Sequence, residues 1–250
     1  MTREPNSGDG PAAYHEVVDG VARIYLDRPR QLNAFNVAMR DALWEILEAI
    51  HDDPAVEAVL IQGNGDRGFC SGADLTEFGT APSRALAREA RYLRDVWRLL
   101  RMLEVPTVVA MHGYAIGSGL EMALCCDIRI ASEDARFRLP EVALGMIPFA
   151  TGSQGLPRTV GRAAALDLLL TGRWFDPPEA LRLGIVQRVV AAEALIESAE
   201  AVVSELRKPS RNAFARAKAS LGVAGDLSMD AGLKAEGRAA ALALAETVSS

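Results

Sequence analysis

Two carboxylates and two glycine-bearing loops are the residues of this 250-residue chain whose setting suggests chemistry. Glu121 lies among Leu120, Met122, Ala123 and Leu124, and Glu141 follows Pro140 at the end of an expected strand and precedes another apolar run. Burial in such surroundings raises a carboxyl pKa towards neutrality, where the group can exchange protons with a substrate. Plainer roles fit the same positions, a capping carboxylate at 121 and a loop charge at 141, and spacing alone does not separate them from catalysis. The first loop reads Gly68-Phe69-Cys70-Ser71-Gly72-Ala73-Asp74, and the second runs from Gly113 through Ile116-Gly117-Ser118-Gly119-Leu120 to Glu121. Glycine lets a ligand approach the backbone, and a helix start points unpaired N–H groups outward, so two such loops could together polarise one carbonyl. The bland alternative is that Gly117 and Gly119 serve close packing of a helix on a sheet.

Other chemistries fit less well. The second loop contains G-x-G but lacks the third spaced glycine and the later acidic residue of a dinucleotide fingerprint. Ser118 is not part of a G-x-S-x-G elbow and is a poor candidate nucleophile. His15, His51 and His112 are scattered, so no metal site is expected. Cys70, Cys125 and Cys126 are odd in number and two are adjacent, which reads as reduced thiols and a cytoplasmic setting. Arginines at 84, 88, 91, 94, 98 and 101 oppose an apolar stripe of Leu86, Ala90, Leu93, Trp97 and Leu100. That face suits a solvated helix better than a phosphate site.

The elements that must hold these groups alternate. Tyr14 to Leu26 reads as a hairpin around Asp19-Gly20. Asn36 is placed to cap a helix through Ile50, and Ala58 to Gln62 reads as a buried strand. A helix over Ala85 to Leu103 and a strand over Thr107 to Met111 repeat that unit. Helix Gly119 to Cys125 and strands Ile128 to Ala131 and Ala135 to Leu139 follow. From Arg162 onward only helices are expected: Ala163 to Leu170, Pro178 to Leu183, Ala191 to Leu206, Ser210 to Leu221 and Met229 to Glu246. The organisation expected is a flexible leader over residues 1–13, an α/β core over 14–190, and a helical region over 191–250 that belongs to the same domain.

Composition narrows the class. Half of the residues are apolar and 24% are charged, as in packed globular chains. The net charge of −6 disfavours binding to nucleic acid through phosphate neutralisation. Apolar runs of membrane-spanning length do not occur in the sequence, so no membrane partner is expected.

Taken in order, the segments resemble the enoyl-CoA hydratase/isomerase, or crotonase, family. The resemblance runs from about Val17 to Leu206 through five stations: Leu26-Asp27-Arg28-Pro29 with Asn33-Ala34; Phe69 to Asp74; Gly113 to Glu121 with Cys126-Asp127-Ile128-Arg129; Phe137-Arg138-Leu139-Pro140-Glu141 with Leu144 to Pro148; and Gly172-Arg173 with Gly184-Ile185-Val186. It implies a crotonase-like spiral of repeated ββα units with a C-terminal helical block used for a homotrimer or hexamer. It also implies an acyl-CoA thioester substrate, with coenzyme A entering as part of that substrate and no separate cofactor.

By the same resemblance, the backbone N–H groups of Ala73 and Ser118 hold the thioester oxygen, and Glu121 and Glu141 flank a water. Keeping both glutamates favours hydration of a 2-enoyl-CoA over isomerisation of a 3-enoyl-CoA, and a non-catalytic acyl-CoA-binding protein is the reading from another class. Arg30, Ser71, Asp74 and Thr76 match CoA-contacting positions, Thr76 standing where lysine is frequent. Two departures fall on the acyl pocket. Leu139 stands where some hydratases of the family have glutamine, and Ile147-Pro148-Phe149-Ala150-Thr151-Gly152-Ser153-Gln154 carries Phe149 and Thr151 in place of two glycines.

Overall fold

The computed structural model describes residues 10–81, 83 and 93–248. Strands β1 (Ala13–Val18) and β2 (Val21–Leu26) form the expected hairpin, turned by Asp19 at φ 51° and Gly20 at φ 74°. Positive φ at both turn positions matches the twist of the paired strands. Strands β3 (Ala58–Gly63), β4 (Thr107–Met111), β6 (Ile128–Ser132) and β8 (Arg188–Val190) continue from β2 in parallel. The sheet order is therefore β1-β2-β3-β4-β6-β8. β4 is buried along its whole length, as a central parallel strand covered on both faces must be.

A second, two-stranded parallel sheet is made of β5 (Tyr114–Ile116) and β7 (Arg136–Arg138). Single bridges from Cys70 to Ala115 and from Phe137 to Phe175 widen it. Its inner residues Ala115, Phe137 and Phe175 are buried, and the last two rings stack at 5.4 Å. The repeating unit is then visible: a strand in the large sheet, a strand in the small one, then a helical turn. β4-β5 leads into α3 (Ser118–Ala123), and β6-β7 leads into a 3-10 turn over Glu141–Leu144.

One face of the large sheet carries Val59, Ile61, Val109 and Met111 against Met39, Leu43 and Leu47 of α1 (Val37–Asp52). Asn36 caps that helix by accepting from the Met39 N–H at 2.9 Å. The other face carries Val21, Leu60, Val108 and Ile130 against Leu195, Ala199, Val202 and Val203 of α7 (Leu195–Leu206). The 191–250 segment thus divides by burial. α7 is core, while α8 (Arg211–Gly222) and α9 (Met229–Val248) pair with each other and remain largely exposed.

Four expectations need correction. Residues 12 and 13 do not belong to a flexible leader, because Ala12 and Ala13 are buried and Ala12 accepts a hydrogen bond from Asp27; residues 1–9 lie outside the described residues. The helix expected over Ala85 to Leu103 does not run unbroken to its end. Asp95 starts α2 (Val96–Met102) by capping the Arg98 N–H, while residues 84–92, with Arg84, Arg88, Arg91, Leu86 and Ala90, lie outside the described residues. Before α5 (Arg162–Thr171) and α6 (Pro177–Arg182) stands an unexpected helix, α4 (Gly152–Val160), whose two glycines and Pro157 argue against helix by propensity alone. Strand β8 was also unexpected, being only three residues long.

Candidate active site

Ala73 is positioned by a strand-like clasp. Leu32 and Asn33 both adopt positive φ, 53° and 54°, and fold the Arg28–Phe35 segment back onto the first loop. Asn33 is fully buried; it donates to the Asn64 and Gly68 carbonyls at 2.9 and 3.0 Å and accepts from the Arg28 N–H at 2.9 Å. Phe35 then donates to the Gly72 carbonyl at 2.8 Å and accepts from the Asp74 N–H at 2.8 Å. In this pattern the Ala73 N–H faces away from Phe35, and it has no acceptor among the described residues.

The second loop is sewn to the first. Cys70 donates to the Tyr114 carbonyl at 3.0 Å, and Ile116 donates back to the Cys70 carbonyl at 2.9 Å. Gly72 (φ 97°) lies where a Cβ would come within 3.1 Å of the Ile116 carbonyl oxygen and 3.9 Å of the Gly117 Cα. The residues just before Ala73 and Ser118 therefore touch. Gly117 at φ 48° starts α3, and the Ser118 N–H at that start likewise has no acceptor among the described residues. The packing reading holds for Gly119, where a Cβ would collide with Cys70. At Gly117 the group that a Cβ would strike is the Glu141 carboxylate, so this glycine makes room for a candidate catalytic side chain.

The two glutamates occupy different surroundings. Glu121, 2% exposed, accepts with one oxygen, Oε1, from the Thr151 N–H at 3.0 Å and the Gly152 N–H at 2.7 Å. Those are the first amides of α4, and two such donors stabilise a carboxylate over a carboxylic acid. Glu141 is half-buried, and its Oε2 is buried without a hydrogen-bond partner. Desolvation first, and the nearby charge of Glu121 second, raise its pKa to about 7. A fixed carboxylate on α3 thus lies close enough to interact with a carboxyl at the start of α3 whose pKa is raised to about 7. Thr151 and Gly152 were not expected to take part, because their helix was itself hidden by its composition.

The remaining candidates are placed as follows. Arg30 is exposed beside Arg67, which donates to the Pro29 and Arg30 carbonyls at 3.1 Å each. The Ser71 hydroxyl donates to Gln31 at 3.4 Å. Asp74 has internal partners: Thr76 N–H and hydroxyl at 3.1 and 2.7 Å, and Arg28 at 3.0 Å. The Thr76 hydroxyl foremost, and Arg28, hold its carboxyl below the usual range. Leu139 is 1% exposed and belongs to the core, whereas Phe149 is 58% exposed on the loop between Glu141 and α4. Of the arginine stripe, Arg94 pairs with Asp41 at 3.0 Å. Among the described residues no cluster could hold a metal ion, and no helix is long and apolar enough to cross a membrane.

Comparison with known proteins fits this geometry. The family model described as enoyl-CoA hydratase/isomerase matches residues 16–245. A crotonyl-CoA hydratase from Syntrophomonas wolfei is 36% identical over 241 residues, covering 93% of this chain and 91% of that one. An (E)-benzylidenesuccinyl-CoA hydratase from Thauera aromatica is 34% identical over 220 residues, covering 87% and 85%. A Thermobifida fusca protein solved in complex with CoA superposes with a TM-score of 0.89 at 33% identity, covering 96% of this chain and 95% of that one.

Proposed function

The chain belongs to the enoyl-CoA hydratase/isomerase family, and on that premise we propose that it adds water across the 2,3 double bond of a 2-enoyl-CoA thioester. The observation that carries this reading is the unlike condition of its two glutamates. Glu121, fixed by the Thr151 and Gly152 amides, takes a proton from water as the oxygen attacks C3. Glu141, whose pKa raised to about 7 keeps part of it protonated at neutral pH, gives its proton to C2. The charge that builds on the thioester oxygen in between is received by the N–H groups of Ala73 and Ser118, which have no other acceptor among the described residues. One such donor is worth roughly a hundredfold or more in rate. The cycle closes when the proton gained by Glu121 is restored to Glu141.

Relatives named for CoA-ester hydration and a neighbour solved with CoA support a CoA ester as the substrate. Coenzyme A is then carried by the substrate, with no separate cofactor. Arg30 and Ser71 would contact the nucleotide end of the CoA; Asp74 and Thr76 would act there by shaping the loop, since their side chains are bonded to each other. Phe149 is exposed on the loop that would flank the acyl chain, whereas Leu139 is buried in the core and would influence that chain only through packing. We propose a homotrimer or hexamer, supported by the apolar groove of about 400 Å³ between α8 and α9, lined by Ala213, Ala217, Leu221, Ala239, Ala240 and Ala243.

The test is spectrophotometric. Hydration of a conjugated 2-enoyl-CoA removes its ultraviolet absorbance, and that loss is expected. Growth of absorbance from a 3-enoyl-CoA, with no loss from the 2-enoyl ester, would instead identify an isomerase, and CoA-ester retention without either change would identify a binding protein.

A further inference from the structure

The hydroxyl of Thr151 has a place in the site that its main-chain N–H does not explain. α3 is only six residues long, and its last carbonyls lack the helical donors that a longer helix would supply. Leu124 donates to Leu120 at 2.9 Å, but Cys125 donates to Met122 at 3.0 Å instead of to Glu121. The Glu121 carbonyl accepts from two side chains: the Thr151 hydroxyl at 3.1 Å and the Cys125 thiol at 3.4 Å. The same Thr151 donates its N–H to the Glu121 carboxylate at 3.0 Å. One residue thus grips Glu121 at its main chain and at its reactive end.

We infer that Thr151 is a positioning residue, whose hydroxyl locks the start of α4 to the end of α3 and so holds the Glu121 carboxylate in register with the attacking water. The buried Cys125 thiol lies 3.9 Å from the Thr151 hydroxyl and shares the same carbonyl, closing a small polar cluster around Glu121. Without the hydroxyl, the α4 amides are free to drift relative to α3, and the carboxylate drifts with them. Substrate binding is untouched, because the hydroxyl points at the protein's own main chain.

This inference rests on the hydration chemistry proposed above, and the experiment separates the two. Steady-state hydration of a 2-enoyl-CoA is measured across pH for the native chain, Thr151→Val, Thr151→Ser and Glu121→Gln. Losing one hydrogen bond that aligns the base is expected to lower kcat about 3- to 10-fold in Thr151→Val with KM unchanged. The acidic limb of its kcat profile is expected to move to higher pH, because a loosened carboxylate is easier to protonate. Thr151→Ser, which keeps the hydroxyl, is expected to restore both. Should Thr151→Val fail to fold, Thr151→Gly keeps the amide, lacks the hydroxyl and carries the same expectation. Native kcat and pH profile in the hydroxyl-free variant, a rise in KM alone, or a serine variant as impaired as valine would each overturn the positioning role. Undiminished hydration by Glu121→Gln would instead overturn the chemistry beneath it.

Discussion

Glu141 is the residue whose surroundings make the sharpest demand. Burial and the adjacent Glu121 charge lift its pKa to about 7, so it is a proton donor below that pH and a carboxylate above it. The hydration rate is therefore expected to fall on the alkaline side with an apparent pKa near 7, a limb absent from whatever activity remains in Glu141→Gln. Stability carries the same signature. The folded chain holds this proton after the unfolded chain, with an ordinary glutamate near pH 4.5, has lost it. Native stability is thus expected to decline as pH rises from about 4.5 to about 7, and urea midpoints of Glu141→Gln should lack that part of the decline. A native-like pH dependence in the variant would mean that another group titrates. The sequence allowed this residue to be chosen, since an acidic group after Pro140 and beside apolar residues stood out, but it left open whether 121 or 141 would be the acid. That depended on the α4 amides, which reach Glu121 from thirty residues away.

At the scale of elements, the site is a junction of two loops and two short helices. Gly117 is its tightest point: its φ of 48° starts α3, and the space where a Cβ would stand is taken by the Glu141 carboxylate. Gly117→Ala is expected to cost about 1–2 kcal/mol from the left-handed backbone alone. It should also displace Glu141 and the Ser118 N–H together, lowering kcat by about a hundredfold or more. Activity within twofold of native in a folded Gly117→Ala would refute this junction. The elements legible in the sequence were those with a clear period or cap, such as α1 behind Asn36 and the apolar strands β3 and β4. α4 was illegible because Gly152, Gly155 and Pro157 oppose helix propensity, and the helix is held by tertiary contacts such as Gly152 donating to the Glu121 carboxylate at 2.7 Å. β8 escaped because three residues carry no period, and only pairing with β6 makes them a strand.

For the whole molecule, the spiral fixes the two glycine-bearing loops while α8 and α9 face outward. α7 is fastened to the sheet by apolar packing and by Arg23 paired with Glu200 at 2.6 Å. α8 is tied on by Lys218, which reaches Asp127 at 2.8 Å. Beyond these ties, Leu221 on α8 and Met229, Leu233, Leu242 and Leu244 on α9 remain more than half exposed. Burying them between copies predicts a sedimenting species of three or six times 26.8 kDa, and a stable monomer would contradict that assembly. The order of the five sequence stations made the fold class readable, yet which part of residues 191–250 was core was not, because amphipathic helices look alike whether they cover a sheet or a neighbour. The central claim concerns the two acids around one water, and single-turnover hydration of a 2-enoyl-CoA by Glu121→Gln and Glu141→Gln tests it most directly. The account predicts that each variant still binds the ester and that each loses hydration by about a hundredfold or more; native turnover in either one would contradict it.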